Sequence, residues 1–347
     1  MIKASMSKKV KEAVEKYRAG RKREAVLQLI YLLGDSEEKV KLDALEALGE
    51  VGDADAVTEI SKLAGDEKEE VRIRVAQALG KIGGPASMET LEQLLVDKSG
   101  EVRLAALKSI VKVSGGRNVE ALIKALSDDD ERVRGAAIEA LVKVAPKNHD
   151  KLMELLKSDD WRVRAGVARV FGELGETRVK DKLLDLLNDW NWTVRKEAAE
   201  ALGKIGGEEA IPYLSRMLGE KEPEVRVSAV RALAATRSPK AREALEEALK
   251  DEDDKVRLWA VLALGEIGDE KTEDALIGTL MDEDVQVKAA ALKALAKIGG
   301  VKSAKAIEPL RFHPDENVRT EAERAIKMIA LRHNMTVEGL LKKARES

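Results

Sequence analysis

Apolar and small residues recur along this chain with the spacing of one face of a helix. The stretch 189–219 shows the pattern clearly, since its first part carries Val194, Ala198, Ala199, Ala201, Leu202 and Ile205. These positions form a single stripe when they are wound into an α-helix. Gly206-Gly207 predicts the end of that helix, because glycine accepts the left-handed conformation of a helix C-terminus.

A second amphipathic segment follows within the same stretch. Its inward positions are predicted to be Ile211, Leu214, Met217 and Leu218. Pro212 falls in the first turn, where its missing amide hydrogen costs no hydrogen bond. The stretch therefore predicts two helices of about three turns, joined by short polar turns.

A Val-Arg or Val-Lys pair marks the same point in each unit. Its copies are Val40-Lys41, Val71-Arg72, Val102-Arg103, Val133-Arg134, Val163-Arg164, Val194-Arg195, Val225-Arg226, Val256-Arg257, Val287-Lys288 and Val318-Arg319. The interval is 31 residues, except that Val133 and Val163 are 30 apart. A period of this length predicts an all-α solenoid of about ten two-helix repeats, in which each repeat packs only on its neighbours.

The motifs within each repeat resemble a known family. They are D-x4-V-R, an alanine-rich helix and an L-G-x-I-G end, as in DEDDKVRLWAVLALGEIGDEKTEDALIGTLM at 251–281. This unit resembles the HEAT-like repeats first described in phycobilisome lyases, over residues 22–333. The resemblance implies a HEAT/armadillo-like α-α superhelix, right-handed, with the Val-Arg helices on the concave face. The predicted domains are an N-terminal capping helix in 1–21, the solenoid in 22–333 and a C-terminal capping helix in 334–347.

Each basic residue of the Val-Arg pair has an acidic counterpart five residues before the valine. The acids are Asp35, Asp66, Asp97, Asp128, Asp189, Glu220, Asp251 and Asp282, and the exceptions are Ser158 and His313. Two columns of opposite charge predict a structural ladder of charged hydrogen bonds. The alternative is an arginine stripe that binds phosphate.

Composition narrows the classes of function. The formal charge of −3, from 61 basic and 64 acidic residues, gives no general attraction to nucleic acid or anionic membrane. There is no cysteine, so disulfides and thiolate metal sites are excluded. Charged residues make up 36% of the chain, which with few Asn and Gln is typical of thermophile proteins. Without an apolar stretch of membrane-spanning or signal-peptide length, we expect a cytoplasmic protein.

The sequence offers no set of residues for catalysis or metal binding. The histidines His149, His313 and His333 lack helical metal-ligand spacing, and we expect each to be solvated at the surface. The His-Glu pairs of deoxyhypusine hydroxylases, which resemble this chain in their HEAT repeats, are absent. Acid clusters such as 251–254 precede helices and predict N-terminal caps, with a cation site as the alternative. We therefore predict no cofactor, no metal and no enzymatic activity.

The exposed face of the Val-Arg helices offers candidate binding residues. Positions three, six and ten after each valine lie opposite the buried stripe. The sixth and tenth columns together carry a net charge of only +4, which disfavours a nucleic-acid groove. Tryptophan is rare, with four residues, and Trp161 and Trp192 occupy equivalent positions in adjacent repeats, so we expect them to be neighbours. The candidate partner-binding residues are Trp161, Arg169, Trp190, Trp192, Arg231, Trp259, Leu262 and Lys293.

Three functions are compatible with these features. The first is a non-catalytic scaffold that binds a protein or peptide in the concave groove and is itself a monomer. The second is nucleic-acid binding by stacking and phosphate contacts, as in HEAT-like DNA glycosylases. The third, by analogy with the lyases alone, is an enzyme or enzyme subunit. The tryptophans have a simpler alternative role, in which the rings pack on the stems of Arg162 or Arg195.

Overall fold

The apolar stripes of the sequence form helices, and the all-α fold class is confirmed. The computed structural model describes residues 6–268 and 270–347, so the predicted N-terminal cap, 1–21, begins outside the described residues. No β-strand occurs within these ranges. The chain divides into two units, the first ending at Val170 and the second beginning at Phe171.

The helices follow one another in the order that the repeat predicts. Those before the boundary are α1 (Lys8–Arg18), α2 (Lys22–Leu32), α3 (Glu38–Val51), α4 (Val57–Ser61), α5 (Glu69–Ile82), α6 (Pro85–Leu94), α7 (Gly100–Ser114), α8 (Val119–Ala125), α9 (Glu131–Val144) and α10 (His149–Leu155). The boundary falls within α11 (Trp161–Leu174). Those after it are α12 (Lys180–Leu186), α13 (Trp192–Ile205), α14 (Ile211–Met217), α15 (Pro223–Ala235), α16 (Arg242–Ala248), α17 (Asp254–Ile267), α18 (Glu273–Gly278), α19 (Val285–Ile298), α20 (Val301–Ile307), α21 (Glu316–Arg332) and α22 (Val337–Glu346).

The two helices of a repeat differ in length, so the prediction of about three turns for both was wrong. The Val-Arg helix α13 has 14 residues, about four turns, whereas α14 has seven, about two turns. A 3-10 turn, Glu208–Ala210, takes up the residues before α14. Gly206 and Gly207 end α13 with φ angles of 80° and 118°, which side chains other than glycine rarely adopt.

Within each unit the Val-Arg helices pack side by side. In the first unit α3 packs on α5, α5 on α7 and α7 on α9; in the second, α13, α15, α17, α19 and α21 follow the same order. The valine of every Val-Arg pair is buried, as are the alanines four or five residues later. The predicted core stripe is therefore confirmed, although Ile205 and Leu218 are only half-buried.

Glycine inside the Val-Arg helices sets how closely neighbouring helices approach. A Cβ on Gly203 of α13 would lie 2.8 Å from the Cα of Ala232 in α15. A Cβ on Gly265 of α17 would lie 2.8 Å from the Cβ of Ala294 in α19. Both distances are shorter than van der Waals contact, so only glycine fits at these crossings. The first glycine of the L-G-x-I-G motif is thus a packing residue, whereas the second ends the helix.

The predicted charged ladder is confirmed, with one change in its connectivity. Arg72 Nε and Nη2 donate to the two carboxylate oxygens of Asp97 at 2.7 and 3.0 Å, and Asp97 belongs to the following repeat. Arg72 Nη1 donates to the carbonyl of Asp66, in its own repeat, at 2.8 Å. The same contacts recur at Arg103, Arg226 and Arg257. Each rung therefore joins two successive repeats with charge-assisted hydrogen bonds.

The acids of the ladder also cap the turns in which they lie. Asp97 Oδ1 accepts from the Ser99 amide at 2.8 Å, and Asp282 Oδ1 accepts from the Asp284 amide at 2.9 Å. Asp253 of the 251–254 cluster in turn accepts from the amides of Lys255 and Val256. The capping interpretation of that acid cluster is therefore confirmed.

Candidate functional site

The packing of α13 to α21 brings the sixth residues after each valine onto one face of the second unit. We call this surface the Val-Arg face of unit 2. Its sixth-position residues are Glu200, Arg231, Leu262, Lys293 and Arg324. The third-position residues Ser228, Trp259 and Glu321 lie beside them and provide most of the contacts within the face. Each helix beneath the face buries its stripe of valine, alanine and leucine or isoleucine, so the backbone that carries these side chains is held by the core.

Arg231 and Trp259 form the centre of this face. The Arg231 guanidinium carbon lies 5.0 Å from the centroid of the Trp259 ring, across the α15–α17 interface. This is the geometry of a cation–π contact. Arg231 Nη1 also lies 3.8 Å from Glu200 Oε1, and that same oxygen accepts from Ser228 Oγ at 2.9 Å. Glu200 and Trp259 together therefore hold the guanidinium in place while 39% of the tryptophan remains exposed.

Leu262 and Lys293 extend the face toward the C-terminus. Leu262 follows Trp259 by one helical turn, is 38% exposed and continues the apolar surface. Lys293 on α19 approaches Glu321 of α21 at 3.6 Å. The centre of the face is thus an exposed Trp-Leu strip with a cation on each side. These two cations, Arg231 and Lys293, each have a carboxylate partner from a neighbouring helix.

The other two tryptophans of unit 2 lie at a separate point. Trp190 is in the turn before α13 and is 73% exposed, and Trp192 begins α13 and is 39% exposed. Asn191 Oδ1 accepts from the Thr193 amide at 2.8 Å and fixes the start of the helix. Trp192 precedes Glu200 by eight residues, which corresponds to about 12 Å along the helix axis. The structure therefore does not place these rings in the Arg231–Trp259 cluster.

Trp161 and Arg169 lie in the first unit, on α11. The Arg162 guanidinium carbon is 5.0 Å from the centroid of the Trp161 ring, and Arg162 Nη2 donates to Asp129 at 3.1 Å. This contact agrees with the interpretation in which the ring packs on an arginine. Arg169 is exposed. The prediction that Trp161 and Trp192 are neighbours joins residues of different units, and it stays a prediction.

Sequence reasoning missed the groups that orient this face. Ser228, Glu200 and Glu321 all stand at the third or sixth position after a valine, so their places on the face follow from the repeat period. Their role depends on which neighbouring repeat each side chain contacts, and the repeat period alone does not specify that contact. The exposed apolar side chains of Met328 and Leu331 on α21 were also not among the candidates.

The structure supplies no metal centre among the residues it describes. No group of three or more His, Asp or Glu side chains there could hold a metal ion.

The His313 Nδ1 atom accepts from the Asp315 amide at 3.1 Å, so histidine replaces the ladder acid in capping its turn. The His149 side chain is only 13% exposed, so its predicted surface solvation was wrong. It begins α10, and only Asn148 separates it from the 3-10 turn Ala145–Lys147. Within the described ranges, no helix combines the length and apolar character needed to cross a bilayer.

Comparisons with known proteins agree with this architecture. HEAT repeats match in overlapping segments at 26–111, 90–152, 149–234, 181–259, 214–280 and 243–327. The comparison with curated proteins found no match.

Similar solved structures share the fold. Kap121p bound to Nup53p has 15% identity and a TM-score of 0.69, covering 89% of this chain and 42% of that one. Kap95p, described as inducing the switch loops of RanGDP to adopt the GTP-bound conformation, has 14% identity and a TM-score of 0.62, covering 91% and 52%. An engineered protein has 26% identity and a TM-score of 0.47, covering 88% and 98%. This chain thus spans about half of each Kap protein, and with HEAT repeats matched from residue 26 to residue 327 it belongs to the HEAT-repeat proteins.

Proposed function

We propose that this protein is a non-catalytic scaffold that binds a protein or peptide on the Val-Arg face of unit 2. This proposal rests on the Arg231–Trp259 contact, which presents an exposed aromatic ring on a rigid helical surface. Exposed tryptophan and arginine on such a surface are the residues that most often dominate binding energy. Arg231, Trp259, Leu262 and Lys293 are its central contacts. Trp161, Arg169, Trp190 and Trp192 are proposed as secondary contacts, and the predicted concave groove remains part of the proposal.

The charge of the face favours a protein partner over nucleic acid. Arg231 approaches Glu200, and Lys293 and Arg324 both approach Glu321, so the positive charge of the face is largely offset by carboxylates. The similar solved structures of Kap121p and Kap95p are described with protein partners, Nup53p and RanGDP. This structural similarity supports a protein as the class of partner, and it does not identify which protein.

A peptide-selection experiment tests this function. A random peptide library is selected on the immobilised full chain, and the affinities of selected peptides are measured by calorimetry for the wild type and for Trp259→Ala. We expect Trp259→Ala to weaken binding by about 10-fold or more, because a buried aromatic anchor contributes about 2 kcal/mol. Tyr31→Ala removes another exposed aromatic ring, on α2, and serves as the matched control.

The peptide affinities and a separate nucleic-acid titration distinguish the alternatives. Selected peptides that bind wild type, Trp259→Ala and Tyr31→Ala equally would show that this face is not the binding surface. Binding of single- or double-stranded nucleic acid at about 50 mM salt, lost steeply as salt rises, would instead support the second function.

We extend the proposal to the type of HEAT-like repeat, the source, the location and the oligomeric state of the protein. Membership of the phycobilisome-lyase type of HEAT-like repeat rests on the D-x4-V-R and L-G-x-I-G motifs. A thermophilic source, a cytoplasmic location and a monomeric state rest on composition and on the charged caps. Turnover of a substrate by the isolated chain would contradict the non-catalytic role.

A further inference from the structure

The arginines of the ladder bind through two separate edges of the guanidinium. One edge, Nη1, donates to backbone carbonyls of the arginine's own repeat, as Arg257 does to Asp251 and Glu252 at 2.9 and 3.1 Å. The other edge, Nε and Nη2, donates to a carboxylate of the next repeat. Arg257 Nε and Nη2 donate to the two carboxylate oxygens of Asp282 at 2.7 and 3.0 Å. The first set of contacts fixes the direction in which the second edge points.

Arg319 on α21 has only the first set. Its Nη1 donates to the carbonyls of His313 and Pro314, both at 2.7 Å, just as the interior arginines bond to their own turns. Within residues 6–268 and 270–347, its Nε and Nη2 atoms donate no hydrogen bond. The repeat period would place the next ladder acid at residue 344, which is Ala344 on α22. The carboxylate-binding edge of Arg319 is therefore oriented, and it has no acceptor among the described residues.

Arg319 lines a groove of about 460 Å³ in the second unit. Three further cations, Arg311, Arg324 and Lys327, line the groove, against two carboxylates, Glu316 and Glu323. The groove therefore carries an excess of positive charge.

The groove is open because polar residues replace apolar ones on α21. Thr320 and Glu323 are exposed, whereas the matching residues of α17 are the half-buried Leu258 and the buried Val261. The same surface in an interior repeat would be covered by the next Val-Arg helix.

We propose that Arg319 binds an aspartate side chain of a partner protein, presented at the N-terminus of a helix. Four interior arginines of this chain bind aspartate in that setting, and in each case both carboxylate oxygens are used. The planar fork of a guanidinium matches a carboxylate, and its anchoring by Nη1 reduces the entropy lost on binding. A second copy of this chain is disfavoured as partner, because the leading ladder acid, Asp35, already accepts from Lys9 at 2.8 Å.

The probe for this site is a labelled synthetic peptide with the sequence of residues 282–295, which contains the Asp282 turn and the following helix. Its affinity for the full-length protein is measured by fluorescence anisotropy, beside a peptide in which Asp282 is replaced by Asn. Arg319→Gln removes the fork, and Arg319→Lys keeps the charge without it. Lys255→Gln, an exposed lysine at the start of α17, is the control for loss of one positive charge.

We expect the Asp peptide to bind at least about 10-fold more tightly than the Asn peptide, as is usual for a paired carboxylate. Arg319→Gln is expected to abolish that difference, Arg319→Lys to reduce it, and Lys255→Gln to leave it intact. This non-additivity assigns the contact to the Arg319–Asp pair, and the Asn peptide tests it on the unaltered protein.

Two results would overturn the proposal. One is equal affinity of wild type for the Asp and Asn peptides. The other is saturable binding of inorganic phosphate, lost in Arg319→Gln, without binding of either peptide, which would make the groove a phosphate site. Neither result bears on Trp259, so this proposal and the proposed function fail independently.

Discussion

At the scale of single residues, one methylene group changes the number of hydrogen bonds in a ladder rung. Arg195 pairs with Glu220, whereas the bidentate rungs have aspartate at this position. Arg195 Nη2 donates to Glu220 Oε2 at 2.7 Å. Its Nε atom is buried without a hydrogen-bond partner. The longer side chain therefore preserves the ion pair but loses the second hydrogen bond. A buried donor left in this way costs stability.

We predict that Glu220→Asp stabilises the protein. A shorter carboxylate at this position can meet both Nε and Nη2, as Asp251 does for Arg226 at 2.8 Å for each bond. The expected gain in the free energy of unfolding is about 1 kcal/mol, measured by urea denaturation. Glu224→Asp, the same change at an exposed position in α15, is the control. Equal effects of the two substitutions would show that the unpaired Nε carries no cost.

At the scale of helices, glycine has opposite effects at different positions. In an open helix it lowers stability relative to alanine, by up to about 1 kcal/mol. At the α13–α15 crossing it is required, because a Cβ on Gly203 would overlap the backbone of Ala232. Gly135, within α9, has no heavy atom within 4 Å of where its Cβ would lie.

We therefore predict that Gly203→Ala and Gly135→Ala change stability in opposite directions. Gly203→Ala should lower the free energy of unfolding by about 1–3 kcal/mol, because the helices must separate. Gly135→Ala should raise it by about 0.5–1 kcal/mol, through helix propensity alone. Thermal and urea denaturation followed by circular dichroism measure both changes. A loss of stability in both variants would mean that the crossing distance is not what distinguishes them.

The helical repeat was predictable from the sequence, but its contacts between repeats were predictable only in part. The Val-Arg spacing and the paired charge columns identified the ladder. An acid five residues before the valine pairs in the structure with the arginine of the preceding repeat, such as Asp97 with Arg72. Both connectivities have the same period, so the sequence could not distinguish them. Likewise, Trp259 and Leu262 were predicted from helical spacing, whereas the Arg231–Trp259 contact depends on the offset between α15 and α17.

At the scale of the whole molecule, the ladder ties stability to the ionisation of its carboxyl groups. Burial raises the pKa of Asp97, but hydrogen bonds from Arg72 and from the Ser99 amide outweigh it, so the net pKa lies below the ordinary value. Asp282 behaves in the same way, with Arg257 as its partner. Asp130, which caps α9 and lies two residues after the ladder acid Asp128, has its pKa lowered to about 2 by the side chain and amide of Arg132.

We predict a loss of stability in acid. These carboxyls bind protons less readily in the folded chain than in the unfolded chain, whose aspartates titrate near pH ~4. Their contribution is therefore complete above about pH 4 and disappears as the pH falls through the lower folded pKa values, of which that of Asp130 is about 2. Urea denaturation between about pH 2 and 7 should show this fall, less steeply in Asp97→Asn than in wild type. Asp181→Asn, at an exposed position on α12, should keep the wild-type slope; an unchanged slope in Asp97→Asn would contradict the assignment.

The direction of the ladder has a consequence for how such a chain can change in length. Four Val-Arg helices present the same guanidinium fork to the repeat that follows, through Arg72, Arg103, Arg226 and Arg257. Interior glycines such as Gly203 and Gly265 meet an alanine of that repeat. A duplicated or deleted segment of 31 residues would restore both contacts at the new junction without any compensating substitution. Gene-level duplication within such a chain can therefore yield a folded product in one step, and selection can act on array length before it acts on side chains.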